Sequence, residues 1–358
     1  MKKCTMSICL FFVFFCIMPQ PAKTQSQLHL IKQDNLWGYI DAYGKTAIVA
    51  QFDDAQSFSE GLALVRLCDR YGFTDRTGQY QINPQFEDAA SFEEDLACVK
   101  IKGKWGFIDK NGRFVISAQF DQAASFSEGL ARVKIGGKFG YIDKSGKYIV
   151  NPQFNRADIY SEGMVRVEIN GKSGYFDKNG KQAINGQFDK ASGFSEGLAC
   201  AKIEGKWGYI DKTGRYAINP QFEDAYPFRD GLARVKSAGK WGFIDKNGSF
   251  VIKPQFQSAG TFSDGLACVV GNGKRGYINK KGTWVINPKY DDAHDFSDGL
   301  ARVKVSGKWG YIDKNGKAVI SSQFEKTSDF SGPVARVRLN GRMAYVDKSG
   351  KIIWTQVK

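Results

Sequence analysis

The stretch Leu300-Ala301-Arg302-Val303-Lys304-Val305 alternates apolar and polar positions with a period of two, the pattern of a strand with one buried face. Ser306-Gly307 interrupts the alternation, and Lys308 to Asp313 resumes it. Elsewhere the interrupting pair is Asn170-Gly171, Asn272-Gly273 or Asn340-Gly341. Asn-Gly between alternating runs predicts a two-residue hairpin, because both turn positions need positive φ. Asp313-Lys314-Asn315-Gly316 predicts a second tight turn, in which Asp accepts a local N–H and Gly takes the left-handed position. Lys317 to Ile320 then forms a third strand. The segment from Gln323-Phe324 to Phe330-Ser331 fits neither a strand nor a long helix. It reads as an irregular connector whose two phenylalanines plug the gap between consecutive units.

This whole pattern returns every 34 residues without insertion or deletion. The position of Trp309 is also Trp37, Tyr71, Trp105, Phe139, Ser173, Trp207, Trp241, Arg275 and Met343. Such a period marks a repeat architecture, in which each unit contacts mainly its neighbours. Length alone, 358 residues, suggests two or three domains, and the unbroken period replaces that with a single array over residues 27–358. The first strand runs from Leu28 to Gln33 and the last unit from Val334 to about Trp354, giving ten three-stranded units. The expected fold is all-β: tandem three-stranded hairpin or meander repeats in an open solenoid or superhelix. A closed propeller-like toroid is the alternative. Propeller blades commonly take four strands in about 40–45 residues, and closed rings about 4–8 blades.

The two-residue turn also sets the cross-strand register. It places Ala301, Val303, Val305, Gly310, Ile312 and Ile320 on one aliphatic face, and Trp309 and Tyr311 beside Lys304 and Arg302 on the other. Gly310, mid-strand, implies close packing from above that excludes a side chain.

Composition agrees with strands and tight turns: Gly is abundant at 40, Phe at 27, and Pro is scarce at 9. Lys2 and Lys3 followed by the apolar run Ile8 to Met18, with Ala22, Thr24 and Ser26 as cleavage points, read as a secretory signal over residues 1–26. The run is too short to span a membrane, and Phe15 before Cys16 argues against a lipoprotein site. An exported location (periplasm, cell surface or extracellular) is the expectation. The net charge of +14 loses only three lysines with the leader, so the remainder stays basic. Cys98, Cys200 and Cys268 occupy one slot of three non-adjacent units, where Arg132, Arg234 and Arg302 stand in others, and Cys68 sits in a turn. Equivalent slots of distant units lie too far apart to pair, so free cysteines are expected.

The phrase Lys-Trp-Gly-Tyr-Ile-Asp-Lys-x-Gly, followed by Ile-x-Pro-x-Phe and Phe-Ser-Glu-Gly-Leu-Ala-x-Val, resembles the bacterial WG β-repeat family over about residues 28–358. Departures are Ser173, Arg275, Asn279 for Asp, Asp95 for Gly, and Met343-Ala344 in the last copy. The resemblance implies an array of short β-hairpins in secreted, surface or effector proteins that act as binding modules.

Enzymatic signatures are scarce. His29 and His294 are the two histidines, and neither neighbours a nucleophile motif. No CxxC pair, HExxH or phosphate-binding Gly loop occurs, and no cofactor or metal is expected. The Asp-Lys-Asn-Gly turn starts like a calcium loop, but Phe120 stands where Asp109 would need its distal Glu. Acidic pairs such as Asp53-Asp54, Glu87-Asp88 and Asp291-Asp292 are periodic and adjacent to Lys or Arg, an ion-pairing ladder rather than one differentiated pair. The candidate ligand face is therefore Trp37, Trp105, Trp207, Trp241, Trp309, Tyr209 and Tyr311 with Arg132, Arg234, Arg302 and Arg275. The same rings have a second use, packing on the connector phenylalanines under Lys and Arg stems. The sequence points to a non-enzymatic exported scaffold that binds a protein or an envelope or host polysaccharide, with nucleic acid disfavoured and no membrane span. A polysaccharide hydrolase or lyase is the alternative of a different class.

Overall fold

The computed structural model describes residues 27–357, so the expected secretory leader lies outside the described residues. Ten antiparallel sheets follow one another along the chain. In the ninth, Ala301–Val305, Lys308–Ile312 and Ala318–Phe324 are its three long strands. The predicted register holds, with Val305 opposite Lys308, Lys304 opposite Trp309 and Arg302 opposite Tyr311. Ser306 and Gly307 adopt φ of 48° and 81°, as the tight hairpin requires. In the second turn, Asp313 Oδ1 accepts the N–H groups of Asn315 and Lys317, each at 2.9 Å. Asn279 does the same for Lys281 and Thr283 at 3.0 Å, so this slot needs a local acceptor and not a charge.

Two sequence expectations change here. The connector is less irregular than it reads: Asp292–Ala293 forms a two-residue strand paired with Lys304 and Val303, which gives the sheet a fourth strand. Ile320 lies on the aromatic face, because the third strand is bulged. Trp309 pairs with Phe324, but Tyr311 pairs with Ile320, so two residues separate one pair and four the other. The surplus residues arch over Gly310, where a Cβ would sit 2.5 Å from the Ile320 carbonyl oxygen. Backbone of the neighbouring strand, and not packing from above, excludes the side chain. Proline suits the bulge, as at Pro84, Pro152, Pro220, Pro254 and Pro288, because a residue there need not donate to the ladder. The tenth sheet supplies the exception. Ala344 replaces the glycine, and there Ala344 pairs with Thr355 and Tyr345 with Trp354 without a shift between them, the register slipping only before Val346 pairs with Ile352.

Consecutive sheets stack face to face. The aromatic face of one (Phe243, Ile252, Phe256 with connector Phe262) packs on the small face of the next (Ala267, Val269, Ile278). Large side chains thus meet small ones at every junction. Each buried Phe or Tyr contributes about 1.5–3 kcal/mol through lost water contact. Both phenylalanines of the connector region are buried as expected, Phe324 and Phe330 among them.

The same packing closes the array, which overturns the open solenoid and leaves the closed toroid. Val334, Tyr345 and Trp354 of the tenth sheet pack on Ile31 and Ile40 of the first. Tyr345 donates to the Leu30 carbonyl, and Gln27 Nε2 to Ser331 Oγ at 3.1 Å. The physical reason is that a unit with a large face and a small face always has a complementary neighbour. Ten such blades therefore satisfy the last large face with the first small one.

Near-equivalent residues of adjacent blades touch at the connectors. Ser161 Oγ donates to the Phe194 carbonyl at 2.8 Å, and the Gly129 N–H donates to Glu94 at 2.9 Å. Packed sheets stand about 10 Å apart, and these connector contacts bridge that gap directly. Lys144 completes the set with an ion pair to Glu94 at 3.3 Å.

Candidate ligand face

Every strand pair places its second-strand aromatic residues on the face turned to the next blade. There the candidates divide by depth. Tyr209 and Tyr311 are fully buried, which removes them from any accessible surface. Their hydroxyls donate to the carbonyls of Tyr226 and Ser328, each at 2.8 Å, and so tie each blade to the following connector. Burial pushes both phenols far above their ordinary range. Tyr209 also stacks edge-on against Phe228 with centroids 4.9 Å apart.

Trp37, Trp105, Trp207, Trp241 and Trp309 are all half-buried. Their inner edges pack on the inter-blade cores. Lys or Arg from the neighbouring strand covers four of these rings. Lys32 lies 5.4 Å from the Trp37 centroid and Lys202 5.8 Å from Trp207. Arg234 lies 4.9 Å from Trp241, and Arg302 and Lys304 lie 5.9 and 5.8 Å from Trp309. Each contact is worth about 0.5–1 kcal/mol at an exposed site.

The arginines are anchored from behind. Arg132 and Arg302 donate to the carbonyls of Ala157 and Thr327, at 2.5 and 2.7 Å, and Arg234 to that of Ala259. Cys268, in the same slot, points its thiol at the equivalent carbonyl of Ala293, 3.6 Å away. A thiol can replace a guanidinium here because the slot asks first for a donor. Cys98, Cys200 and Cys268 are free and buried, with thiols pushed up by burial to about 11, about 12 and about 11.

Two of the three units with no aromatic residue in the tryptophan slot, those of Arg275 and Ser173, are filled. Arg275 pairs with Asp292 at 2.9 Å. Ser173 is buried beneath Arg166, which donates to its Oγ at 3.4 Å and grips Asp158 at 2.7 and 2.8 Å. The acidic pairs resolve into two turn functions. The first member accepts a turn N–H or binds a lysine: Asp53 accepts the Cys68 N–H at 2.8 Å, and Asp291 pairs with Lys274 at 2.5 Å, which holds its carboxyl below the usual range. The second member, as at Asp292, accepts the N–H of its own following residue at 2.9 Å. His294 sits 5.4 Å from the Trp309 ring, its pKa lowered by burial and by Arg302. Among the described residues no group of three or more His, Cys, Asp or Glu could hold a metal ion. No helix among them is long and apolar enough to cross a membrane.

Sequence reasoning missed the junction between the tenth and first blades, where Lys32, Arg336 and Met343 meet. The departure Met343-Ala344 was the available signal, and its meaning depends on ring closure.

Ten small antiparallel sheets stacked face to face in a closed ring define a ten-bladed β-propeller. The WG-containing repeat family matches nine times, at residues 37–67, 71–105, 105–139, 139–172, 174–207, 207–241, 241–274, 276–309 and 309–342, and the chain belongs to that family. Among curated proteins none matches. Among solved structures, a eukaryotic initiation factor shares the fold at 12% identity and a TM-score of 0.52, over 92% of this chain and 96% of that one. The extracellular domain of a one-component system from B. thetaiotaomicron aligns at 11% identity and a TM-score of 0.33, covering 95% of this chain and 61% of its own. PorZ, a bacterial surface component of the type-IX secretion system of Porphyromonas gingivalis, aligns at 11% identity and a TM-score of 0.28, covering 86% and 52%.

Proposed function

We propose that the ring is a non-enzymatic, exported binding scaffold for an extended polymer, an envelope or host polysaccharide or a protein segment. The carrying observation is the recurrence of half-buried indoles at equivalent positions around the ring, four of them in contact with Lys or Arg. Indole faces stack on sugar rings or apolar side chains, and the cations beside them suit carboxylate or sulfate groups. Single contacts of this kind are weak, and a polymer that meets several at once gains avidity. The basic net charge favours an anionic partner. The test is binding to glycan arrays, peptidoglycan and candidate surface proteins, with a Trp105→Ala plus Trp241→Ala variant of unchanged circular dichroism as the comparison. Retention of a polymer or protein by the wild type, and loss in the variant, is expected. Absence of any partner across these screens would overturn the proposal.

A further inference from the structure

The junction between the tenth and first blades differs from the other nine. At a regular junction the tryptophan slot and the phenylalanine after the bulge fill one end of the large face, as Trp309 and Phe324 do. In the tenth blade the slot holds Met343, the register does not shift beside it, and Gln356 occupies the edge, donating its N–H to the Met343 carbonyl at 2.9 Å. The first blade, which follows around the ring, enters at Leu28 with no connector strand before it among the described residues. Among the described residues, two ring systems and a connector that regular junctions have are thus not found at one end of this junction. In their place lies a cavity of about 430 Å³, within the size range of small-molecule sites.

Its walls are strongly one-signed. Lys32, Lys326, Arg336 and Arg338 line it with Met343 and Val337, and no carboxylate does. Arg338 is partly engaged, 3.6 Å from Glu325 outside the cavity. Arg336 is the informative residue. Its counterparts Arg132, Arg234 and Arg302 are half-buried and donate to a carbonyl 25 residues further on. Arg336 is exposed, and among the described residues its guanidinium meets no such carbonyl and makes no hydrogen bond or ion pair. A guanidinium fork with Lys326 and Arg338 in the same lining, and the Met343 thioether among them, matches an oxyanion carried on a compact body.

We propose that this junction cavity is a binding site for a phosphate or sulfate ester of sugar size, with Arg336 as the principal anion ligand, Lys326 and Arg338 as flanking charges, and Met343 under the ligand's body. The ester can be a free small molecule or a group borne on a polymer. The proposal stands apart from the indole reading, since Trp105 and Trp241 lie in other blades.

Calorimetric titration at low salt with glucose 6-phosphate, and separately with a heparin oligosaccharide, tests it on the full ring. Saturable one-to-one binding of either is expected, and which of the two binds identifies the source of the anion. Arg336→Ala should weaken binding at least tenfold. Met343→Trp, which restores the residue of the regular repeat and fills the cavity without removing a charge, should abolish it with no loss of thermal stability. Lys253→Ala, an exposed lysine of the seventh blade, should leave affinity unchanged, as should Trp105→Ala plus Trp241→Ala. The proposal is overturned by absence of saturable binding to both probes. It is equally overturned if affinity is unaltered by Met343→Trp and Arg336→Ala, or falls as much with Lys253→Ala.

Discussion

The phenol of Tyr345 donates its proton to the main-chain carbonyl of Leu30, a residue 315 positions earlier. Inside the array the corresponding hydroxyl reaches only 17 residues ahead, as Tyr311 does to Ser328. The closing junction therefore reuses the bond found at six of the other nine junctions, those where Phe73, Phe107 or Phe243 does not hold the slot, with its acceptor supplied by the opposite end of the chain.

Tyr345→Phe leaves that carbonyl without its donor and should cost about 1–3 kcal/mol. Denaturant titration measures the total, and hydrogen exchange should show faster opening confined to the first and tenth blades. Uniform acceleration around the ring would show that the bond has no special part in closure.

Gly310 and Ala344 occupy the same slot and should respond in opposite ways. Gly310→Ala drives a methyl group into the backbone of its own bulge and should cost several kcal/mol, among the severe mechanisms of point destabilisation. Ala344→Gly lies opposite an in-register pair, Ala344 with Thr355, and should cost about 1 kcal/mol or less, through chain entropy alone. Thermal melts of the two variants give the comparison.

This slot also shows what was legible in the chain. The hairpin register from Val305↔Lys308 to Ala301↔Ile312 could be counted outward from Ser306-Gly307, because a two-residue turn leaves no freedom. The bulge could not be counted, since its surplus residues obey no local period; Ile320 was thereby placed on the wrong face. The fourth strand was hidden for a similar reason, being only Asp292-Ala293 and made by pairing alone. Closure was hidden in another way, because it is decided by how the wedge angle of one junction accumulates over ten. The tryptophan slot was readable as amphipathic, and its division into a packed inner edge and an outer edge beside Lys or Arg needed the neighbouring blade. Tyr209 and Tyr311, two residues on from tryptophan, were read as surface and proved to be core.

His29 should make stability depend on pH. It is buried against Tyr345, its Nε2 has no partner, and burial lowers its pKa despite the opposing charge of Asp41. The unfolded chain then takes up a proton near the ordinary value of about 6.5 that the folded ring refuses. Stability from this group is whole above that value. It falls as pH drops from there to the lower folded value, and levels off beneath it. Denaturant midpoints between pH 7.5 and 5 should decline less in His29→Gln than in the wild type. Equal slopes would exclude the histidine as the cause.

Asp313 should tolerate loss of charge and not loss of its oxygen. Asp313→Asn retains both turn hydrogen bonds, as Asn279 does naturally, and should change stability by less than about 0.5 kcal/mol. Asp313→Ala should cost about 1–2 kcal/mol, at the scale of two modest net hydrogen bonds. Added calcium should shift neither melt.

Thiol chemistry should separate the cysteines by depth. Cys68 is exposed and should react with a disulfide reagent in the folded ring, whereas Cys98, Cys200 and Cys268 should resist until denaturant is added. A native count above one thiol among these four would mean that the inter-blade cores open on the timescale of the assay.

Nine of the ten junctions between blades are crossed by the main chain, and among the described residues the junction that holds Tyr345 against Leu30 is crossed by none. A molecule pulled or heated therefore has one unbonded hem. Parting there exposes the two flanking blades to protease while every other blade remains covalently tethered to both neighbours. Resistance to forced or thermal opening should be set by that hem and not by the average strength of the fabric. A disulfide or ligand laid across it would slow unfolding of the whole ring more than the same addition anywhere else.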